Sequence, residues 1–333
     1  MGGDRGCRSV RAATCSLTSR APAKIILLGE HAVVYGQPAI AVPFTALAAT
    51  VESRPAPLGS GITLRAHDIN KEARLTASNP KPNGALAQTV QLVLTALNKP
   101  VPDVILDLRS TIPVASGLGS CAAVSTALIR ELSAFIGYPL EGDRLNALVY
   151  EAEKLYHGTP SGIDNTVIVF ERPLYFVRDA PRHAPPDRRT QSFRIGAPLT
   201  LIVADSGIPG ATRETVAAVR QQFESDPART VPIIDRIGEL VNLGRRAIEE
   251  GDAETLGGLM LDNHRLLALL GVSLPVLDRI VAAARAAGAL GAKLSGGGGG
   301  GNLIALVDAE NAERVQVAMR SAGAVQTWQT TVK

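Results

Sequence analysis

Apolar positions along the chain follow two periods. Short apolar or alternating runs bounded by turn residues predict strands at 23–28, 39–42, 45–53, 61–67, 104–108, 199–204, 289–294, 303–307 and 325–331. A β-branched run at 166–170 reads as another strand. Stripes at helical spacing predict helices at 85–97, 120–136, 143–157, 233–250, 253–270, 275–287 and 309–322, and one more starting at Thr212 with Glu214 in its first turn. Ser120, Asp143 and Thr212 stand where N-caps are expected. Polar stretches rich in Pro and Gly at 54–61 and 75–84 read as loops, and 178–189 reads as a loop or a crossing between domains.

Composition narrows the class. A chain of 333 residues has room for two domains, and 46% hydrophobic content with only 4% aromatic implies cores of Ala, Val, Leu and Ile. A net charge of +3, from 34 basic and 31 acidic residues, argues against a nucleic-acid partner. No apolar run approaches the roughly 18 residues of a membrane span. Residues 1–19 are polar, carry Arg and lack an apolar segment, which fits an extension rather than a secretory signal. The three Cys show no metal-ligand spacing and no disulfide framework, so the expected compartment is a reducing cytoplasm.

Candidate chemistry begins at 111–127, TIPVASGLGSCAAVSTA. Pro113 stops the preceding strand, and Gly117 and Gly119 permit a positive φ and a close ligand approach. A helix then opens at Ser120. Unpaired N–H groups and a helix dipole aimed at one point suit a polyphosphate. Taken alone, the loop also fits a ligand-free strand-to-helix turn. No Gly-Lys-Ser/Thr follows, which excludes a Walker A loop. Lys24 at a strand start, Glu30 and His31 at that strand's end, and Asp164 in a Pro-Ser-Gly turn each have an ordinary structural explanation by themselves. Six consecutive glycines at 296–301 lie between apolar strands, where a backbone pressed against another loop or a phosphate explains them better than a linker does.

Three segments together carry more weight. PAKIILLGEHAVVYGQPAIA at 22–41, PVASGLGSCAA at 113–123 and KLSGGGGGG at 293–301 resemble, in order and spacing, the three motifs of the GHMP small-molecule kinases, which act on galactose, homoserine, mevalonate and phosphomevalonate. The first segment and EKLYHGTPSGIDN at 153–165 most resemble the members that phosphorylate mevalonate. The resemblance covers nearly the whole chain beyond residue 20.

It implies an α+β, two-lobed fold: an N-terminal lobe (20–185) like ribosomal protein S5 domain 2 and a ferredoxin-like C-terminal lobe (198–332). Pro113, Ala115, Ser116, Gly117, Leu118, Gly119, Ser120 and Cys121 would wrap the ATP phosphates. Ser120 and Glu153 would face Mg²⁺. Asp164 would orient or deprotonate the acceptor hydroxyl with Lys24 as its partner. Glu30, His31, Gly162, Thr212, Gly297 and Gly298 would line the substrate pocket, and the glycine run would brace the phosphate loop. The implied reaction moves the γ-phosphoryl of MgATP to the 5-hydroxyl of (R)-mevalonate, a step of isoprenoid precursor synthesis, in an enzyme type that is commonly dimeric.

Phosphoryl transfer asks for such parts: a cradle for the polyanion, a hard cation with oxygen ligands, and a carboxylate at the alcohol. The alternatives are a sister enzyme acting on phosphomevalonate, on the 3-hydroxyl or as a decarboxylase, and a binding protein on an inactive scaffold. The last would be expected to lose Asp164, Lys24 or Glu153, and all three are present. Three positions depart from the pattern. Cys121 stands where a second Ser is common, and its thiol is a poor Mg²⁺ ligand. Asn302 replaces a small residue or Cys, and Gly210 stands where a basic residue is frequent.

Overall fold

The computed structural model describes residues 17–76, 83–114, 116–158, 160–177 and 190–333. Ala115, most of the expected N-terminal extension and the expected crossing at 178–189 lie outside the described residues.

A seven-stranded sheet forms the first half. Its strands are β1 (Leu17–Leu28), β2 (Pro38–Pro55), β3 (Ile62–Ala66), β4 (Lys71–Leu75), β5 (Val104–Ser110), β6 (Leu174–Val177) and β7 (Thr190–Ser192). The order is β4-β3-β5-β2-β6-β7, with β1 also paired to β2. Among the described residues only the β3–β5 pair is parallel. Helices α1 (Ala85–Leu97), α2 (Ser120–Phe135), α3 (Gly142–His157) and α4 (Ile163–Phe170) accompany it. Leu17 to Ser19 are already paired in β1, so the order of the chain reaches into the expected extension.

The second half is a four-stranded antiparallel sheet in the order β11-β8-β10-β9. It is built from β8 (Leu199–Asp205), β9 (Gly291–Ser295), β10 (Asn302–Val307) and β11 (Gln326–Val332). Helices α5 (Thr212–Ser225), α6 (Pro227–Glu250), α7 (Ala253–Leu269) and α8 (Pro275–Ala286) lie between β8 and β9, and α9 (Ala312–Ser321) lies between β10 and β11. This is the ferredoxin-like β-α-β-β-α-β plan with a multi-helix first connection. The halves are welded by one apolar core, in which Val51, Leu106 and Leu128 belong to the same cluster as Leu201, Ile304 and Val332. Among the described residues no helix is long and apolar enough to cross a membrane.

Several expectations need correction. The runs at 39–42 and 45–53 are one strand, because Pro43 keeps its place in the ladder opposite Lys24. The run at 166–170 is helical and belongs to α4. Asn165 through Val169 are all buried; with no exposed face the run carries no period, and strand and helix look alike in sequence. The polar edge strand β4 and the four-residue β6 had no clear alternation to announce them. The expected caps shift as well: Gly119, Glu141 and Ala211 occupy the N-cap positions, none with a side-chain bond, and Ser120 and Thr212 are the first helical residues instead.

Candidate active site

Gly119 is left-handed at φ 76°, ψ 29°, which lets the chain swing from the loop into α2. Gly117 also has a positive φ, of 77°. The loop is tied down at three points. Ser116 Oγ donates to the Pro113 carbonyl at 2.8 Å, the Lys24 amide donates to the Leu118 carbonyl at 2.9 Å, and Asn302 Nδ2 donates to the Ser116 carbonyl at 2.6 Å. Pro113 and Leu118 thus serve as structure around the amides, and Leu118 is itself fully buried.

Lys24 joins this loop to the acid expected beside it. Its stem runs under Gly119, where an added Cβ would come within 2.9 Å of Lys24 Cγ. Its ammonium lies 3.1 Å from Asp164 Oδ1, with side-chain exposures of 6% and 31%. Asp164 sits in the first turn of α4, whose N-cap Gly162 is left-handed. Gly162 therefore shapes the turn, and its carbonyl accepts a hydrogen bond from Thr166 Oγ1 at 2.7 Å. Glu153 on α3 is the third charged member. Burial, reinforced by the charge of Asp164 and opposed by that of Lys24, pushes its carboxyl up to about 8.

That value describes a site with two carboxylates and one ammonium. Such a site has a deficit of positive charge, and its oxygen donors suit a hard divalent cation. Among the described residues no group of three His, Cys, Asp or Glu could hold a metal, so Ser120 and Glu153 would leave most coordination positions to phosphate oxygens and water. Burial, Glu153 and Asp164 together push the Cys121 thiol up to about 11. A protonated thiol is no ligand for Mg²⁺.

Glu30 and His31 follow β1 and meet the glycine run. His31 has φ 59° and ψ −48°, and the Ala32 amide donates to the Glu30 carbonyl at 2.6 Å. This is the γ-turn form that strains any residue with a Cβ. His31 Nε2 donates to the Gly297 carbonyl at 2.8 Å, and burial holds its imidazole below the usual histidine range. Glu30 is ion-paired with Lys293 on β9, and its Oε2 is buried with no partner. Asn263 on α7 accepts the Gly29 amide at 3.2 Å.

The glycine run packs as backbone against backbone. A Cβ at Gly297 would lie 2.5 Å from Thr212 Oγ1, and one at Gly298 would lie 2.2 Å from the Val272 carbonyl. Gly298 also accepts the Ala211 amide at 3.3 Å, just ahead of Thr212. Thr212, Gly297 and His31 are thereby brought together.

Beside Ser120 and Cys121 opens a cavity of about 480 Å³ between the β3–β4 hairpin and the starts of α1 and α2. Leu64, Ala66, Leu86, Leu108, Ile112 and Val124 make it largely apolar, and its size is that of a small-molecule pocket. Sequence reading found neither this cavity nor Lys293. One signal for Lys293 was present: a lone Lys in the otherwise apolar run 289–294.

Residues 85–172 match the family model for the GHMP kinases N terminal domain, and residues 245–325 match the one for GHMP kinases C terminal. The mevalonate kinase of Pyrococcus furiosus is 36% identical over 322 residues, covering 91% of this chain and 92% of its own. That of Aeropyrum pernix is 35% identical over 306 residues, covering 88% and 89%. Among solved structures, L. major mevalonate kinase in complex with R-mevalonate superposes with a TM-score of 0.82 at 26% identity, over 96% of this chain and 98% of that one. The Methanococcus jannaschii mevalonate kinase gives 0.81 at 27% identity, over 96% and 99%.

Proposed function

The chain belongs to the GHMP kinase family, and from that premise we propose that it transfers the γ-phosphoryl of ATP to the 5-hydroxyl of (R)-mevalonate. One observation carries the site assignment: the 3.1 Å pair of Lys24 and Asp164 beneath the Gly117–Gly119 loop. Asp164 accepts a hydrogen bond from the acceptor hydroxyl and takes its proton as the oxygen attacks phosphorus. Lys24 pairs with that carboxylate, holding it in place at the acceptor, and offsets charge on the phosphoryl group in flight. The loop amides from Ser116 to Cys121 bind the polyphosphate, with the N-terminus of α2 adding its dipole.

Ser120 and Glu153 would hold Mg²⁺ on its protein side, with phosphate oxygens and water completing its shell. When bound, Mg²⁺ neutralises phosphate charge and aligns the phosphoryl oxygens. The apolar cavity takes the adenine, because its lining suits a flat ring and it opens at the loop. His31, Thr212, Gly297 and the Glu30 turn form the wall facing mevalonate, and the compartment is the cytoplasm. A phosphorylated acceptor would require additional free cations. Lys293, a buried ammonium beside the Glu30 turn, is already matched by Glu30, which supports the unphosphorylated substrate.

The test is ADP release from ATP and Mg²⁺ with mevalonate, phosphomevalonate, homoserine and galactose offered separately, with the product identified by ³¹P NMR. Turnover with mevalonate yielding the 5-phosphate is expected. Turnover with another acceptor and none with mevalonate would overturn the assignment.

A further inference from the structure

Asn302 opens β10 immediately after the last glycine. Its backbone is held on both sides, opposite Asp205 of β8 and Ser295 of β9, and the residue is only 2% exposed. From this fixed base Nδ2 reaches the Ser116 carbonyl at 2.6 Å. A carbonyl can only accept, so the nitrogen of the amide, and not its oxygen, faces the loop. Oδ1 is then left buried without a partner. For stability alone this is a poor choice, since a small apolar side chain would fill the place with no unanswered acceptor.

The bond has a directional effect. In a trans peptide the C=O and the following N–H point opposite ways. Drawing the Ser116 carbonyl toward β10 turns the Gly117 amide away from β10. Two residues on, the Leu118 carbonyl is held by the Lys24 amide, and the Gly119 amide is turned in the same manner. The second anchor is main chain from β1. The first is a side chain from the opposite sheet, and among the described residues it is the one hydrogen bond that joins the glycine run and its flank to the phosphate loop.

We propose that Asn302 is a positioning residue for the nucleotide: through the Ser116 carbonyl it aims the loop amides and so strengthens ATP binding without touching either substrate. This rests on the reading of residues 113–121 as the ATP phosphate loop.

The experiment compares wild type, Asn302→Ala and Asn302→Asp. It measures ADP binding by calorimetry, KM for ATP and for mevalonate, and thermal melting. Asn302→Asp keeps the shape but sets an acceptor against the Ser116 carbonyl; Asn302→Ser serves if either variant fails to fold. About a tenfold loss of ADP affinity and a matching rise in KM for ATP are expected, with KM for mevalonate within about twofold. A folded variant with wild-type ADP affinity, or one in which both KM values rise together, would overturn the proposal. Failure of the wild-type protein to bind ADP would remove the nucleotide-loop reading and the proposal with it.

Discussion

The ammonium of Lys293 and the carboxylate of Glu30 form an ion pair closed to water, with side-chain exposures of 0% and 1%. Lys293 also donates to the Leu294 carbonyl at 2.6 Å. The pair ties β9 to the residue before His31, where the backbone takes its strained γ-turn. Burial pulls the Lys293 pKa down and Glu30 works against that pull. Each charge is tolerable only while the other is present.

Removing one partner should therefore cost far more than removing both. Lys293→Met leaves a buried carboxylate and is expected to lose about 3–5 kcal/mol of folding free energy. The double variant Glu30→Met with Lys293→Met should recover most of it. Urea unfolding of the single and double variants measures the difference. Equal losses in the two would mean that the pair is not what stabilises the turn.

Asp164→Asn keeps the shape of the side chain but gives up its capacity to take a proton. A fall in kcat on the order of 10²–10⁴ is expected, with both KM values near wild type. Adding Lys24→Met should cost little more, because groups acting as a unit lose their effect together. Steady-state kinetics of the two single variants and the double variant decides this. Multiplicative losses would count against a joint role.

Glu153 gives the metal-free protein a pH dependence. Burial pushes its carboxyl up to about 8 in the folded chain, well above its ordinary 4.5. Between those values the folded state binds more protons than the unfolded state. The stabilising contribution is full below the ordinary value and disappears as pH rises through about 8. Melting in the presence of chelator should fall from pH 6 to pH 8.5 by more in wild type than in Glu153→Gln. The same variant should need more Mg²⁺ for activity. A pH slope unchanged by the substitution would refute the assignment.

Gly117 and Gly119 have nearly equal φ values of 77° and 76°, yet different surroundings. A Cβ at Gly117 meets nothing within 4 Å, while one at Gly119 strikes Lys24 Cγ and Ile168 Cδ1 at 2.9 Å. Gly117→Ala should cost only the backbone strain, about 1–2 kcal/mol. Gly119→Ala should carry that strain and also displace Lys24, lowering kcat by at least about tenfold more. Melting curves and kcat for the two variants provide the comparison; equal kcat values would argue that Lys24 is not held by this contact.

Much of this molecule is local. The stripe at 85–97 coincides with α1 from end to end, because its apolar positions repeat at helical spacing and Asn98 ends it in the left-handed region. The core strands β5, β8 and β10 likewise lie within two residues of their expected limits at either end. The run at 166–170 went wrong for a related reason: burial on every side erases the period. The motif residues were visible as motifs, and family resemblance brought Asp164 and Lys24 into one expectation.

By itself, the sequence determined where elements such as α1 and the strands β5, β8 and β10 form, where glycine alone can turn the chain, and which side chains have chemistry to offer. Those are properties of neighbouring residues, set by backbone geometry and the alternation of apolar and polar positions. Only the tertiary structure decided that Glu30 is matched by Lys293, that Asn302 holds Ser116, and that the apolar cavity opens beside Ser120. These partners come from distant parts of the chain and meet because two sheets share one core. Spacing along a polypeptide carries no measure of distance through such a core.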